Sequence, residues 1–198
     1  MKRVLILLVL VAFNWAGAPV KNGYDIGDTA ADFKLKNVDG KMVSLADFKD
    51  AQGYIVIFDC NTCPVSKAYN ERIIQLNEKY ASKGFPLIAI NPNDPEKSQG
   101  DSFESNVKQA KRKDYKFPYL SDASQDVTKA FGATNTPHVF VLNKNLRVEY
   151  TGSIDNNTKS ALLASQRYVE DAVEALLMGK PIAIKKTKAL GCSIKWKD

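Results

Sequence analysis

The chain has 198 residues, 44% hydrophobic, 25% charged and 10% aromatic, with 11 glycines, 8 prolines and 3 cysteines. That is the composition of an ordinary folded domain; it excludes a disordered or collagen-like chain and a disulfide-dense scaffold, and no run of about 18 apolar residues makes it a polytopic membrane protein. The net charge of +6 would suggest a nucleic-acid partner, but Lys2 and Arg3 stand at the extreme N-terminus and Lys180, Lys185, Lys186, Lys188, Lys195 and Lys197 crowd residues 180–198. The body between is near neutral and lacks the basic stripe that phosphate backbones require, so no nucleic acid is expected as a partner.

Residues 1–18 have the pattern of a secretory signal: basic Lys2 and Arg3, an apolar stretch from Val4 to Phe13, and the small residues Ala16-Gly17-Ala18 before a cleavage point. Pro19 would follow the scissile bond, which leaves the exact cut open. The chain is therefore expected to be exported, to the periplasm or the extracellular space, with no stable membrane span once the signal is gone. Residues 19–179 are expected to form one domain and residues 180–198 a flexible, lysine-rich tail.

Turn signals at Gly27-Asp28 and Asp39-Gly40, between Phe33-Lys34-Leu35 and Met42-Val43-Ser44-Leu45, predict a small hairpin packed against a main sheet. Tyr54 to Phe58 is continuously apolar and Phe85 to Ile90 nearly so, as strands buried on both faces are. Between them Val65, Tyr69, Ile73, Leu76 and Tyr80 recur at helical spacing, completing a βαβ unit whose crossover should be right-handed. Asn91 to Gly100 reads as a loop leading to a helix over 102–113. In that helix Lys108, Lys111, Arg112 and Lys113, followed by Lys116, form a solvated face. An extended piece is expected at 117–120 and a helical turn at 126–131. His138 to Leu142 and Arg147 to Tyr150, joined by Asn143-Lys144-Asn145, predict an antiparallel hairpin, and Leu162, Val169, Val173 and Leu176 one face of a last helix ended by Gly179 and Pro181.

The chemistry is most visible in Cys60-Asn61-Thr62-Cys63-Pro64, where the buried strand ends and the helix begins. N–H groups at a helix start favour an anion, so a thiolate is expected at Cys60 as the attacking sulfur, and Cys63 is placed to resolve a mixed disulfide formed there. A zinc site would need two more ligands, for which only His138 and Cys192 remain, and no metal or other cofactor is expected. A structural bridge closing so short a loop would stabilise little, which leaves redox chemistry as the larger share.

The chain resembles the thioredoxin-fold redoxins, specifically the peroxiredoxin-like group of the alkyl hydroperoxide reductase and thiol-specific antioxidant family. The resemblance is carried by Gly27 to Phe48, the strand and CNTCP motif at 54–64, the NPNDPE loop at 91–96, Phe117-Pro118-Tyr119-Leu120, Thr136-Pro137 and the ending Gly191-Cys192-Ser193-Ile194-Lys195-Trp196. It implies a thioredoxin-like α/β three-layer sandwich with a central mixed sheet, an N-terminal hairpin extension and a C-terminal tail. It further implies a cis Thr136-Pro137 bond opposite the active cysteines, offering a strand edge to a bound thiol or peptide, with an ordinary trans proline as the alternative.

Two departures matter. Asp59 stands where thioredoxins carry tryptophan, and its carboxylate would oppose thiolate formation next door. Peroxiredoxins place a threonine three residues and a proline seven residues before the peroxidatic cysteine; counting back from Cys63 gives Cys60 and Val56, and from Cys60 gives Ile57 and Gly53. The reading is an exported thiol-disulfide oxidoreductase that exchanges with protein or small-molecule thiols and disulfides and with a redox partner protein. The alternatives are a thiol-dependent peroxidase and a copper-binding protein using Cys60, Cys63 and His138. His138 is more simply structural. Cys192 is a candidate accessory thiol or a small packing residue of the tail. The oligomeric state is left open.

Overall fold

The computed structural model describes residues 23–198, so the signal predicted at 1–18 lies outside the described residues. In chain order the elements are β1 (Lys34–Asn37), β2 (Met42–Ser44), β3 (Gly53–Phe58), α1 (Pro64–Tyr80), β4 (Leu87–Asn91), α2 (Phe103–Arg112), β5 (Tyr119–Ser121), α3 (Asp126–Phe131), β6 (Asn135–Thr136), β7 (His138–Asn143), β8 (Val148–Gly152), α4 (Tyr168–Leu177) and β9 (Cys192–Ser193). Among them no helix is long and apolar enough to cross a membrane.

β3 has no polar face to offer solvent and takes the interior of a mixed sheet ordered β2-β1-β5-β4-β3-β7-β8. β3, β4 and β5 run parallel, while β7 and β8 add antiparallel on the other side. Strand side chains alternate between faces. Ile55 and Ile57 accordingly meet Tyr69, Ile73 and Leu76 of α1 and Val169 and Val173 of α4 on one face. Val56 and Phe58 meet Phe131 of α3, Phe140 and the tail residue Ile194 on the other. The result is the expected thioredoxin-like sandwich.

Three details differ from the expectations. The N-terminal hairpin does not merely lie on the sheet; β1 pairs with β5 and extends it. The last helix starts only at Tyr168, and Leu162 is 93% exposed. Its backbone was captured elsewhere: Asn156 Oδ1 accepts the N–H groups of Ser165 and Gln166, which a longer helix would need. Finally, residues 180–198 are docked along the domain rather than free. Thr151 and Thr187 are tied through the Thr187 N–H to Thr151 O bond at 3.0 Å, and Ile182 and Ile194 are buried. Gly152, at φ +146°, makes room, since a Cβ there would fall 2.1 Å from Thr187 Oγ1. The tail is rich in lysine, but Ile182 and Ile194 bind it.

Candidate active site

The register of the central pair builds the site. β7 runs antiparallel to β3 with His138 opposite Phe58, so two residues further on each chain Thr136 comes opposite Cys60. The Thr136–Pro137 bond is cis, as the resemblance implied. Thr136 is fully buried and touches both sulfurs: its hydroxyl lies 3.0 Å from Cys60 Sγ and its carbonyl oxygen 3.2 Å from Cys63 Sγ. All three cysteines are free thiols.

Asn61 and Thr62, between the cysteines, are held by a buried polar cluster. The Asn61 N–H donates to Asp101 Oδ1 and the Thr62 hydroxyl to Asp101 Oδ2, each at 2.7 Å. Asn61 Nδ2 donates to Asn106 Oδ1 at 2.7 Å, and Asn93 Nδ2 to Asp101 Oδ2 at 2.9 Å. Burial alone would raise the Asp101 carboxyl, but hydrogen bonds from Ser98, Asn93, Thr62 and Asn61 outweigh it and hold it below the ordinary carboxylate value. Sequence reasoning missed Asp101 and Asn106. The signal in the sequence is the NPNDPE loop, a marker of the resemblance, which supplies Asn91 and Asn93 to this cluster.

The start of the helix differs from the expectation. The helix begins at Pro64 and its N-cap is Cys63, not Cys60, because Asp101 draws Asn61 and Thr62 into the loop and Pro64 takes the first helical position. Cys63 is pulled down by a hydrogen bond from Cys60, against its burial, with further help from Cys192 and from the Ser66 and Cys192 N–H groups. Cys60 is pushed up by the hydrogen bond it gives Cys63, by burial, and by the Asp101 and Asp59 carboxylates. The Cys60 and N–H contacts favour charge on Cys63, while the Thr136 carbonyl opposes it there and the Thr136 hydroxyl supports it on Cys60. Burial pushes the Asp59 carboxyl itself up to about 7, with Cys63 and Asp101 adding to the rise and hydrogen bonding only partly offsetting it.

His138 stands apart. Its Nδ1 accepts the Thr134 N–H and its Nε2 meets the Thr151 hydroxyl at 3.0 Å, and burial, aided by Lys186, pushes it down to about 4. The ring is neutral and structural. Among the described residues no group of three His, Cys, Asp or Glu side chains is placed to hold a metal ion. Cys192, by contrast, is brought to the site: its Sγ lies 2.7 Å from that of Cys63.

A family model described as AhpC/TSA family matches residues 26–151. The chain belongs to the AhpC/TSA family. Within the curated proteins, this AhpC/TSA member is 28% identical over 156 residues to the thiol-disulfide oxidoreductase ResA of Bacillus thuringiensis subsp. konkukian, covering 74% of this chain and 83% of that one. It is 25% identical over 156 residues to ResA of Geobacillus thermodenitrificans, covering 75% and 83%. Among solved structures it matches an uncharacterized conserved protein from Geobacillus kaustophilus with a TM-score of 0.83 and 36% identity, over 89% of this chain and 94% of that one. A thiol:disulfide interchange protein of the thioredoxin family from Chlorobium tepidum TLS, at 21% identity and a TM-score of 0.59 over 78% and 99%, supports the fold alone.

Proposed function

We infer that this AhpC/TSA member is a thiol-disulfide oxidoreductase whose couple is Cys60 and Cys63. The observation that carries the reading is the gathering of both sulfurs against Thr136, beside the cis proline. A thiolate of the pair attacks a substrate disulfide, one substrate sulfur leaves as thiolate, and the second cysteine displaces the other, so that the substrate gains two electrons and the Cys60–Cys63 bond forms. We take Cys63, at the helix start, as the attacking sulfur and Cys60 as the resolving one, the reverse of the order read from the sequence. Thr136 and Pro137 line the approach. The ResA relatives support the substrate class, protein or small-molecule disulfides with a redox partner protein. Residues 1–18 support export to the periplasm or beyond.

The test is reduction of insulin disulfides in the presence of a dithiol donor. In a Cys192→Ser background, activity that vanishes in both Cys60→Ser and Cys63→Ser supports the reading; turnover retained by either variant removes that cysteine from the couple. N-terminal sequencing of the protein from the exported fraction checks the signal: a start near residue 19 supports it, and an intact Met1 end refutes it.

A further inference from the structure

A third sulfur reaches the site, and the two-cysteine cycle leaves it unused. Cys192 lies in β9, which pairs antiparallel with β6 so that Cys192 stands opposite Thr136. Its Sγ is 2.7 Å from Cys63 Sγ, and its N–H donates to the same sulfur at 3.3 Å. The segment is fixed on both sides of the cysteine. Asn135 Nδ2 donates to Gly191 O at 3.0 Å, the Ile194 N–H donates to Thr134 O at 3.2 Å, and Ile194 is 4% exposed. A Cβ on Gly191 would lie 2.0 Å from the Thr136 carbonyl oxygen, so at this position only glycine lets the tail lie against the cis-proline turn. Of the three sulfur residues Cys192 is the one that is not fully buried.

We propose that Cys192 is a third redox thiol, which moves the active-site disulfide from the two buried cysteines to one that solvent reaches; this rests on the reading that Cys60 and Cys63 form the couple. Once a substrate has been reduced, the site holds a Cys60–Cys63 bond. Cys192 gives up its proton and attacks Cys63 Sγ. The Cys63–Cys192 bond forms as the Cys60–Cys63 bond breaks, and the departing electron pair stays on Cys60, which takes a proton. One disulfide and one thiol stand on each side of the exchange, so no outside oxidant or reductant is consumed. A dithiol partner then attacks Cys192, the accessible sulfur, and Cys63 leaves as the thiolate that its N–H donors stabilise. The same bond fastens β9 across the edge of β6. β9 already covers that edge while all three cysteines are free, and the bond locks it there.

The experiment is to oxidise the reduced full-length chain with one equivalent of a small aromatic disulfide, quench in acid, alkylate and map the cross-linked peptides. The expected wild-type product is Cys63–Cys192 with Cys60 alkylated. Cys192→Ser should instead retain Cys60–Cys63, and so should Gly191→Ala, which keeps all three sulfurs but displaces the tail. A wild-type product that is Cys60–Cys63 alone, with Cys192 alkylated, overturns the proposal and leaves the couple standing. Failure of both wild type and Cys192→Ser to form any bond at Cys60 and Cys63 overturns the couple and the proposal together.

Discussion

The hydroxyl of Thr136 and the sulfur of Cys60, 76 positions apart in sequence, lie 3.0 Å from each other in the interior. The antiparallel register of β3 and β7 brings them together. Because that hydroxyl supports charge on Cys60, it bears on how easily the resolving sulfur enters the exchange.

Thr136→Val keeps the shape of the residue and removes the hydrogen bond. A buried hydrogen bond of this kind contributes about 1 kcal/mol, equivalent to about a fivefold change in rate. Disulfide reduction should slow by about that factor while the melting temperature changes little. An unchanged rate would detach the hydroxyl from the chemistry.

The attacking sulfur is open to trapping. Cys60→Ser leaves the Cys63 thiolate without a resolving partner at its own loop, and with Cys192→Ser added it should accumulate mixed disulfides at Cys63. Cys63→Ser with the same background should accumulate few. The opposite pattern returns the attack to Cys60.

Asp59 couples the site to pH. Its carboxyl holds a proton up to about 7, against an ordinary value of 3.8, so between these values the folded chain binds more protons than the unfolded one. Stability should fall as the pH rises across that window and carry the whole cost above it, on the order of a few kcal/mol. Asp59→Asn should therefore raise the melting temperature at pH 8 and have little effect at pH 4. Equal shifts at both pH values would contradict a buried, proton-holding carboxyl.

Asp101 organises the loop between the cysteines. Asp101→Ala leaves the Asn61 N–H and the Thr62 hydroxyl without their acceptor, which should cost about 1–3 kcal/mol in denaturant unfolding. Disulfide reduction should fall beyond what the lost stability explains, and Asp101→Asn should restore part of it. If loop activity survives Asp101→Ala intact, the cluster is scaffolding only.

Hydrogen peroxide separates the family's chemistries. The chain lacks the threonine and proline spacing that holds peroxide, so its thiolate should react with peroxide at roughly the slow rate of an unassisted thiolate while reducing disulfides readily. Stopped-flow peroxide consumption that is fast and depends on Cys63 would make it a peroxidase.

The sequence by itself determined the βαβ unit, because the unbroken apolar run at 54–58 and the helical spacing of Val65, Tyr69 and Ile73 are local patterns with one packing solution. It also marked the CNTCP motif at a strand-to-helix junction and, through resemblance, the Thr136-Pro137 pair. Tertiary structure decided what depends on contacts distant in sequence. The helix starts at Pro64 and leaves Cys60 outside it because Asp101, from a different loop, holds Asn61 and Thr62 out of the helix. Asn156 stopped the last helix short by taking its N–H groups. The tail, whose lysines made it look like a free solvated segment, is bound through Ile194 and through a glycine that fits against a turn 55 residues earlier, so that Cys192 meets Cys63. Local periodicity records which face of an element is buried, whereas which distant groups meet on that face is set by strand register and by the partners that buried polar atoms must find.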